Sequence, residues 1–432
     1  MGSHQPLTGP AAAGFSQFAP AARAYFDYVN ANGGVHGRKI FFNYRDDAYN
    51  PDNTVRVVRR LVEQDKVFAI LAGLGTAPHQ AVVDYLNTNK VPDLFPVSGC
   101  PCWNDPKRLP YTFALQTDFV REGKILGDYV NKTFPGKRVA YFYQNDDLGR
   151  SGVRGLDKTI PASSVVARLS YRPGYNDATE QMQAIARARA EVIVSFSVPS
   201  QTALLRLAQQ ESGNTADLVV SYSGSDPETL SGLLETADTQ QNGGAAQIQG
   251  IVTDSYLPPI SDTSNKWIQL VKMIHARSLP DQPLTRYTEV GVLTAYLFVQ
   301  ALQRTGRDLT RASLVAALEQ GGFPSPGVTP LDYSPTSHAG YTGTRIGVIK
   351  GTAIALQGLP MITDSADGPV TSHTAPSAEP PANGIPDAAG PTAPPPASGE
   401  GPNTAADSRL DSGSFHSLQS HLAQRLHRNP DR

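Results

Sequence analysis

Apolar residues along this chain follow two alternating patterns. Short continuous runs such as 67–71 (VFAIL), 138–143 (RVAYFY) and 192–197 (VIVSFS) have strand length, and the stretches between them carry apolar residues every third or fourth position. Residues 66–103 show the unit most completely. A strand at 67–71 meets a turn punctuated by Gly73, Gly75, Thr76 and Pro78, then a helix ending near Asn89, a strand at 91–95 and a second loop. In such a βαβ unit, the turn after each strand and the next helix N-terminus share one sheet edge. Free backbone N–H groups there can hold a polar ligand.

The same alternation extends to both sides. A helix is expected at 15–30, with Phe18, Ala22, Phe26 and Val29 on one face, stopped by Asn32-Gly33-Gly34; a strand at 40–45 and a helix at 53–64 follow. A second series begins near Tyr111: helix 119–134, strand 138–143, helix 149–160, strand 165–171, helix 178–188, strand 192–197, helix 201–211 and strand 218–221. A return strand at 248–257 ends at Pro258-Pro259, helices fall at 289–305 and 311–320, and strands at 345–350 and 353–357 close the folded part. Two similar series predict an α/β protein of two lobes, each a doubly wound parallel sheet.

Composition narrows the partners. The 432 residues are 40% hydrophobic and 18% charged with a formal net charge of −2, and no basic run is present to follow a phosphate backbone, which argues against nucleic acid. No stretch approaches the roughly 20 apolar residues of a membrane span. The opening MGSHQPLTGP reads as the end of a strand and its loop, so the expectation is a start further upstream. Ten prolines between Pro369 and Pro402 mark residues 363–432 as a disordered Pro/Ala/Ser-rich tail, and its last apolar positions, Leu418, Leu422 and Leu426, read as a fraying helix without function.

Candidate chemistry is sparse. Cys100 and Cys102 alone cannot complete a four-ligand zinc site, which leaves free thiols or a loop-stapling bond. The Gly73-x-Gly75 turn has Pro78 where a dinucleotide fingerprint needs its third glycine. Asp46-Asp47 and Asn145-Asp146-Asp147 read as helix caps or hinge-lining residues rather than a metal cluster, and His4, His36, His79 and His338 read as loop histidines. No G-x-S-x-G or H-E-x-x-H motif is present, and SYSGSD at 221–226 lacks an adjacent histidine. Neither a catalytic residue nor a cofactor is expected.

In PLTGPAA (6–12), NANGGVHGRKI (30–40), YRDDAYNPDNTV (44–55), FYQNDDLGRSG (142–152) and DYSPTSHAGYTG (332–343), the chain resembles the extracytoplasmic solute-binding proteins of ABC importers, of the leucine/isoleucine/valine-binding type. The resemblance spans about residues 1–362. It implies two α/β lobes, 1–117 with 254–325 and 118–253 with 326–362, joined by crossovers near 116–118, 252–255 and 322–329. It further implies a small-molecule ligand in the cleft, hinge closure, a membrane permease as partner, a monomeric state, and export to the cell surface or periplasm from a lipid-anchored precursor. The alternative is a ligand-sensing subunit of a signalling system with the same lobes.

Carried over position by position, the resemblance implies ligand contacts from Gln5 and Phe15 in the first loop, from Gly75 and Thr76, and from Val97, Ser98 and Gly99 at the next turn. Here Ser98 replaces the usual threonine hydroxyl. The second lobe would contribute Leu148 and either Phe196 or Val198. The family's acidic group for a ligand ammonium falls near Ser223 and Gly224, where no acid stands; Asp226 lies two residues on, with Glu289 as another candidate. A buried ammonium without a carboxylate is costly, so an amide or short carboxylate fits these positions as well as an amino acid does.

Overall fold

The computed structural model describes residues 1–175, 177–237, 243–374 and 378–387. Its first sheet has the order β2-β1-β3-β4-β5, formed by β1 (Gly2–Gln5), β2 (Asn43–Asp46), β3 (Ile70–Leu71), β4 (Asp93–Leu94) and β5 (Thr112–Phe113), all parallel. The second contains β6 (Val139–Gln144), β7 (Val165–Tyr171), β8 (Val192–Phe196), β9 (Asp217–Val220) and β10 (Val252–Ser255), parallel in the order β7-β6-β8-β9-β10. The two orders are the same, strand for strand. Beyond β10 the second sheet turns antiparallel through β11 (Gly343–Lys350), β12 (Ala353–Leu356), β13 (Met361–Ile362) and β14 (Thr371–Ser372).

The parallel strands are buried on both faces, which is why they read as nearly unbroken apolar runs. In β8 all five residues are buried, and Ile193 and Phe196 belong to separate cores on opposite faces. The chain leaves the first sheet after β5 through Asp118, whose Oδ1 accepts the Val120 and Arg121 N–H groups and caps the Phe119–Thr133 helix. After β10 it returns to the first layer as the Lys266–Ser278, Arg286–Thr305 and Arg311–Glu319 helices, then crosses to β11. The Arg286–Thr305 helix opens on a Thr285/Thr288 capping box and is buried from Arg286 to Leu302. It packs against the Phe18–Ala31 helix, where a Cβ at Gly291 would collide with the Phe18 carbonyl.

Several elements differ from expectation. The helix expected at 15–30 runs from Phe18 to Ala31, after a short Ala12–Phe15 segment in which Ala13 and Gly14 are non-helical. Gly14 has φ +78°, and any side chain there would strike the Tyr287 ring. The helix expected at 53–64 begins at Pro51 under an Asn50 cap and ends in a wide turn, Arg60–Gln64. Helices at Pro227–Ala237 and Lys266–Ser278 were not expected. The unstructured tail expected from residue 363 is narrowed. Lys124 Nζ, nearly buried, donates to the carbonyls of Asp364, Ala366 and Gly368 and to the Asp364 carboxylate. Further on, the Tyr25 and Tyr28 hydroxyls and the Trp267 indole bind the carbonyls of Gly384, Asn383 and Ala378. The leucines of 415–426 lie outside the described residues.

Candidate ligand-binding cleft

In each sheet the strand order reverses beside its first strand, and a crevice opens at the carboxyl ends on either side of that point. The two crevices face one another. Loops leaving β1 and β3 bring Phe15, Leu74, Gly75 and Thr76; the loop after β4 brings Val97 and Ser98; loops after β6, β8, β9 and β10 bring Leu148, Val198, Tyr222, Ser223 and Tyr256. Tyr49 follows β2, Gln116 follows β5, and Phe18, Phe119, Tyr287 and Val290 come from helices. Together they enclose a cavity with about 30 Å³ open to the centre of a water molecule.

The first wall is polar at its base. Gly75, at φ +99°, precedes the Thr76–Thr88 helix, and a Cβ there would press on the Tyr49 ring at 2.5 Å, so only glycine suits this turn. Its N–H binds the Val97 carbonyl at 3.2 Å and Val97 N–H binds the Gly73 carbonyl at 3.0 Å, locking the turns after β3 and β4 together. Thr76 Oγ1 and Ser98 Oγ stand 2.7 Å apart. Behind them Trp103 donates its indole N–H to the Ser98 carbonyl at 3.0 Å. The thiol question is answered by a bond between Cys100 and Cys102, which closes the loop beside Ser98.

The second wall is aromatic. Tyr222 and Tyr256 lie 4.4 Å apart between ring centroids, Tyr287 packs on Phe15 at 4.6 Å, and the Arg286 guanidinium covers the Tyr222 ring at 4.1 Å. Tyr222 N–H is held by two carboxylates at once, Glu122 at 2.7 Å and Asp254 at 2.9 Å. Burial, and for Glu122 the nearby Asp254 charge, pushes both carboxyls up, Asp254 to about 6. Among the described residues Glu122 Oε2 and Asp254 Oδ2 show no hydrogen-bond donor, which suits a pair in which one carboxyl keeps its proton.

Beneath the first wall lies a buried polar chain. His4 Nδ1 meets Asp47 at 2.7 Å, His4 Nε2 meets His79 Nδ1 at 2.9 Å, and His79 Nε2 meets Asp93 at 2.9 Å. His4 and His79 are therefore fully buried members of a network rather than loop histidines. Asp46 and Asp47 hold loop N–H groups and do not cap the next helix, which Asn50 caps, whereas Asp146 does cap the Asp147–Leu156 helix through Leu148 N–H. Among the described residues no group of three or more His, Cys, Asp or Glu side chains is arranged for a metal.

Of the residues singled out from sequence, Phe15, Gly75, Thr76, Val97, Ser98, Leu148 and Ser223 line the cavity, as does Val198. Gln5 instead ties β1 to β3, donating to Ser3 Oγ and the Ala72 carbonyl. Gly99 lies against Thr117 and Phe119, and Phe196 sits behind the wall under Gly152. Gly224 packs on Ser197 and Thr202, while Asp226 accepts from the N–H groups of Thr229 and Arg286. Glu289 lines a separate cavity with Asp226, Ser255 and Arg286. Sequence reading did not pick out Tyr49, Gln116, Tyr222, Tyr256 and Tyr287. For Tyr222 and Tyr256 a signal existed: they stand two residues and one residue past a strand end, positions that line a doubly wound crevice.

Paired parallel sheets of the same strand order face a shared cleft, an architecture that similarity to known proteins places in a family. Residues 1–353 match the family model described as periplasmic binding protein, and the chain belongs to that family. It is 24% identical over 340 residues to a Leu/Ile/Val-binding protein homolog of Brucella melitensis, covering 78% of this chain and 87% of the relative. Its fold is similar to that of a branched-chain amino acid ABC transporter protein from Thermus thermophilus, solved with bound valine (TM-score 0.74, 19% identity, 84% of this chain and 96% of that one). It is also similar to that of an ABC-transporter solute-binding protein from Rhodopseudomonas palustris, solved with 3,4-dihydroxybenzoic acid (TM-score 0.70, 20% identity, 84% and 96%). Among the described residues, no helix is long and apolar enough to cross a membrane.

Proposed function

We propose that this protein is an extracytoplasmic receptor that binds a small solute between its lobes, closes on it by hinge motion and presents the closed form to the membrane permease of an ABC importer. The observation that carries this reading is the cavity itself, whose walls come from corresponding loops of two sheets with the same strand order. A site divided between two bodies couples occupancy to their closure, because the ligand contacts both walls only when they are together. The space enclosed is small, so the walls part to admit a solute.

Thr76, Ser98 and the N–H groups opening the Thr76–Thr88 helix suit a carboxylate or another small acceptor-bearing group. The relatives' names and the two ligands quoted above, both carboxylates, support that choice. The receptor acts as a monomer and carries no catalytic function. A thermal-shift screen of amino acids, amides, short carboxylates and polyols tests the reading, since a ligand at 100 times its Kd stabilises by about 2.7 kcal/mol. A hit raises the melting temperature; a screen without one over all four classes counts against the proposal.

A further inference from the structure

We infer that the solute is a small monocarboxylate with an apolar body and no α-ammonium group. This rests on the reading of the cleft as a solute site and deepens it. Among the described residues, no charged side chain lines the cavity. The nearby carboxylates are engaged by protein donors: Asp47 by His4 and Tyr49 N–H, Asp146 by Leu148 N–H, Asp147 by Gln80, Asp226 by Thr229 and Arg286 N–H, and the Glu122/Asp254 pair by Tyr222 N–H. Glu289 opens on the separate cavity. An α-ammonium brought into this cleft would be desolvated with no counter-charge.

Tyrosine faces can receive a cation, but here that place is taken. The buried Arg286 guanidinium lies 4.1 Å from the Tyr222 ring centroid and already occupies that ring as its cation, with its charge offset by Asp226 and Asp254 nearby. The acceptor end is provided for. Gly75 N–H is used by Val97, and Pro78 has none, which leaves the Thr76 and Ala77 N–H groups beside the Thr76/Ser98 hydroxyl pair. A second observation points to a ligand with a polar substituent on its body. The Gln116 carboxamide (6% exposed) and the Ser223 hydroxyl (9% exposed) line the cavity and hydrogen-bond to none of the described residues. The rest of the lining, Phe15, Phe119, Tyr222, Tyr256 and Tyr287 with aliphatic neighbours, suits a flat or branched hydrocarbon.

Calorimetry of the full chain against matched pairs tests this: 3-phenylpropionate with phenylalanine, and 4-methylpentanoate with leucine, beside the corresponding neutral amides. The expected result is that at least one desamino acid binds about 100-fold more tightly than its amino acid. An amino acid that binds as well as its partner overturns the inference and leaves the receptor reading standing, and so does binding of the amides alone. No binding by any solute in this set or the wider screen overturns both. A Ser223→Asp variant adds the missing counter-charge and is expected to bring the amino acid at least about 10-fold closer to its desamino partner. A folded variant with unchanged discrimination overturns the counter-charge argument; should it not fold, the pairs measured on the unaltered protein decide alone.

Discussion

Gln80 Nε2 donates to Asp147 Oδ2 at 2.5 Å, joining the helix that follows β3 in the first sheet to the helix that follows β6 in the second. Gln80 lies in the second turn of its helix and Asp147 opens its own, so their bond ties the first wall to the second. Both are half-buried, and the Gln80 amide also lies 3.6–3.7 Å from the Cys102 and Cys100 sulfurs. Gln80→Ala is expected to remove about 1 kcal/mol from the closed form and weaken solute binding roughly five-fold. Small-angle scattering with saturating solute should show no change in the closed shape. Unaltered affinity would mean that the contact contributes nothing to closure.

The Glu122/Asp254 pair makes stability depend on pH. Both carboxyls hold their proton more tightly when folded than the usual carboxylate does, because burial penalises their charge. The folded protein therefore binds the extra proton. Its stabilising effect is complete below about pH 4 and is lost as pH rises through about 6, on the order of 1–3 kcal/mol. Asp254→Asn keeps an acceptor for Tyr222 N–H and removes one of the two titrating groups, the one pushed up to about 6. Melting temperature followed from pH 4 to 8 should fall across this window in the unaltered protein and be flatter in the variant; parallel curves would refute the retained proton.

A Cβ at Gly73 would overlap both His79 Nδ1 and His4 Nε2, so the Asp47–His4–His79–Asp93 chain and a glycine at 73 require one another. Gly73→Ala is expected to cost at least about 2 kcal/mol by separating buried polar partners. Chemical denaturation measures this directly. A loss below about 0.5 kcal/mol would show that the chain accommodates the methyl group.

Truncation separates two parts of the C-terminal region. Ending the chain at residue 387 keeps every contact made by Lys124, Tyr25, Tyr28 and Trp267 and should leave stability unchanged. Ending it at residue 362 leaves the Lys124 ammonium, 2% exposed, without its four acceptors and should cost about 3 kcal/mol or more. Equal melting temperatures for the two truncations would contradict this.

The fold was legible where one segment carries its own signal. The VFAIL run, the Gly73-x-Gly75-Thr76 turn and the following helix place the first wall of the cleft without tertiary information, and Thr76 and Ser98 do meet. The second wall was not legible in this way. Tyr222, Tyr256 and Tyr287 come from segments that converge only through the strand order β9-β10 and the return of the chain to the first layer. The resemblance left Phe196 and Val198 as alternatives, and the alternation along β8 turns Phe196 into a core and leaves Val198, just past the strand, at the cavity. The C-terminal anchoring was hidden for a similar reason: a Pro-rich composition does not disclose that Lys124 and three aromatic donors wait for its carbonyls.

Calorimetric titration of a Thr76→Val, Ser98→Ala double variant tests the central claim most directly, with a solute that stabilises the unaltered protein as the titrant. Both hydroxyls lie in the first wall, and neither substitution changes the volume greatly. The account predicts a loss of affinity of about 100-fold or more, from two hydrogen bonds worth roughly 1.5–3 kcal/mol each to a charged acceptor, with the melting temperature of the solute-free protein nearly unchanged. Undiminished affinity in the folded variant would contradict it and place the solute elsewhere.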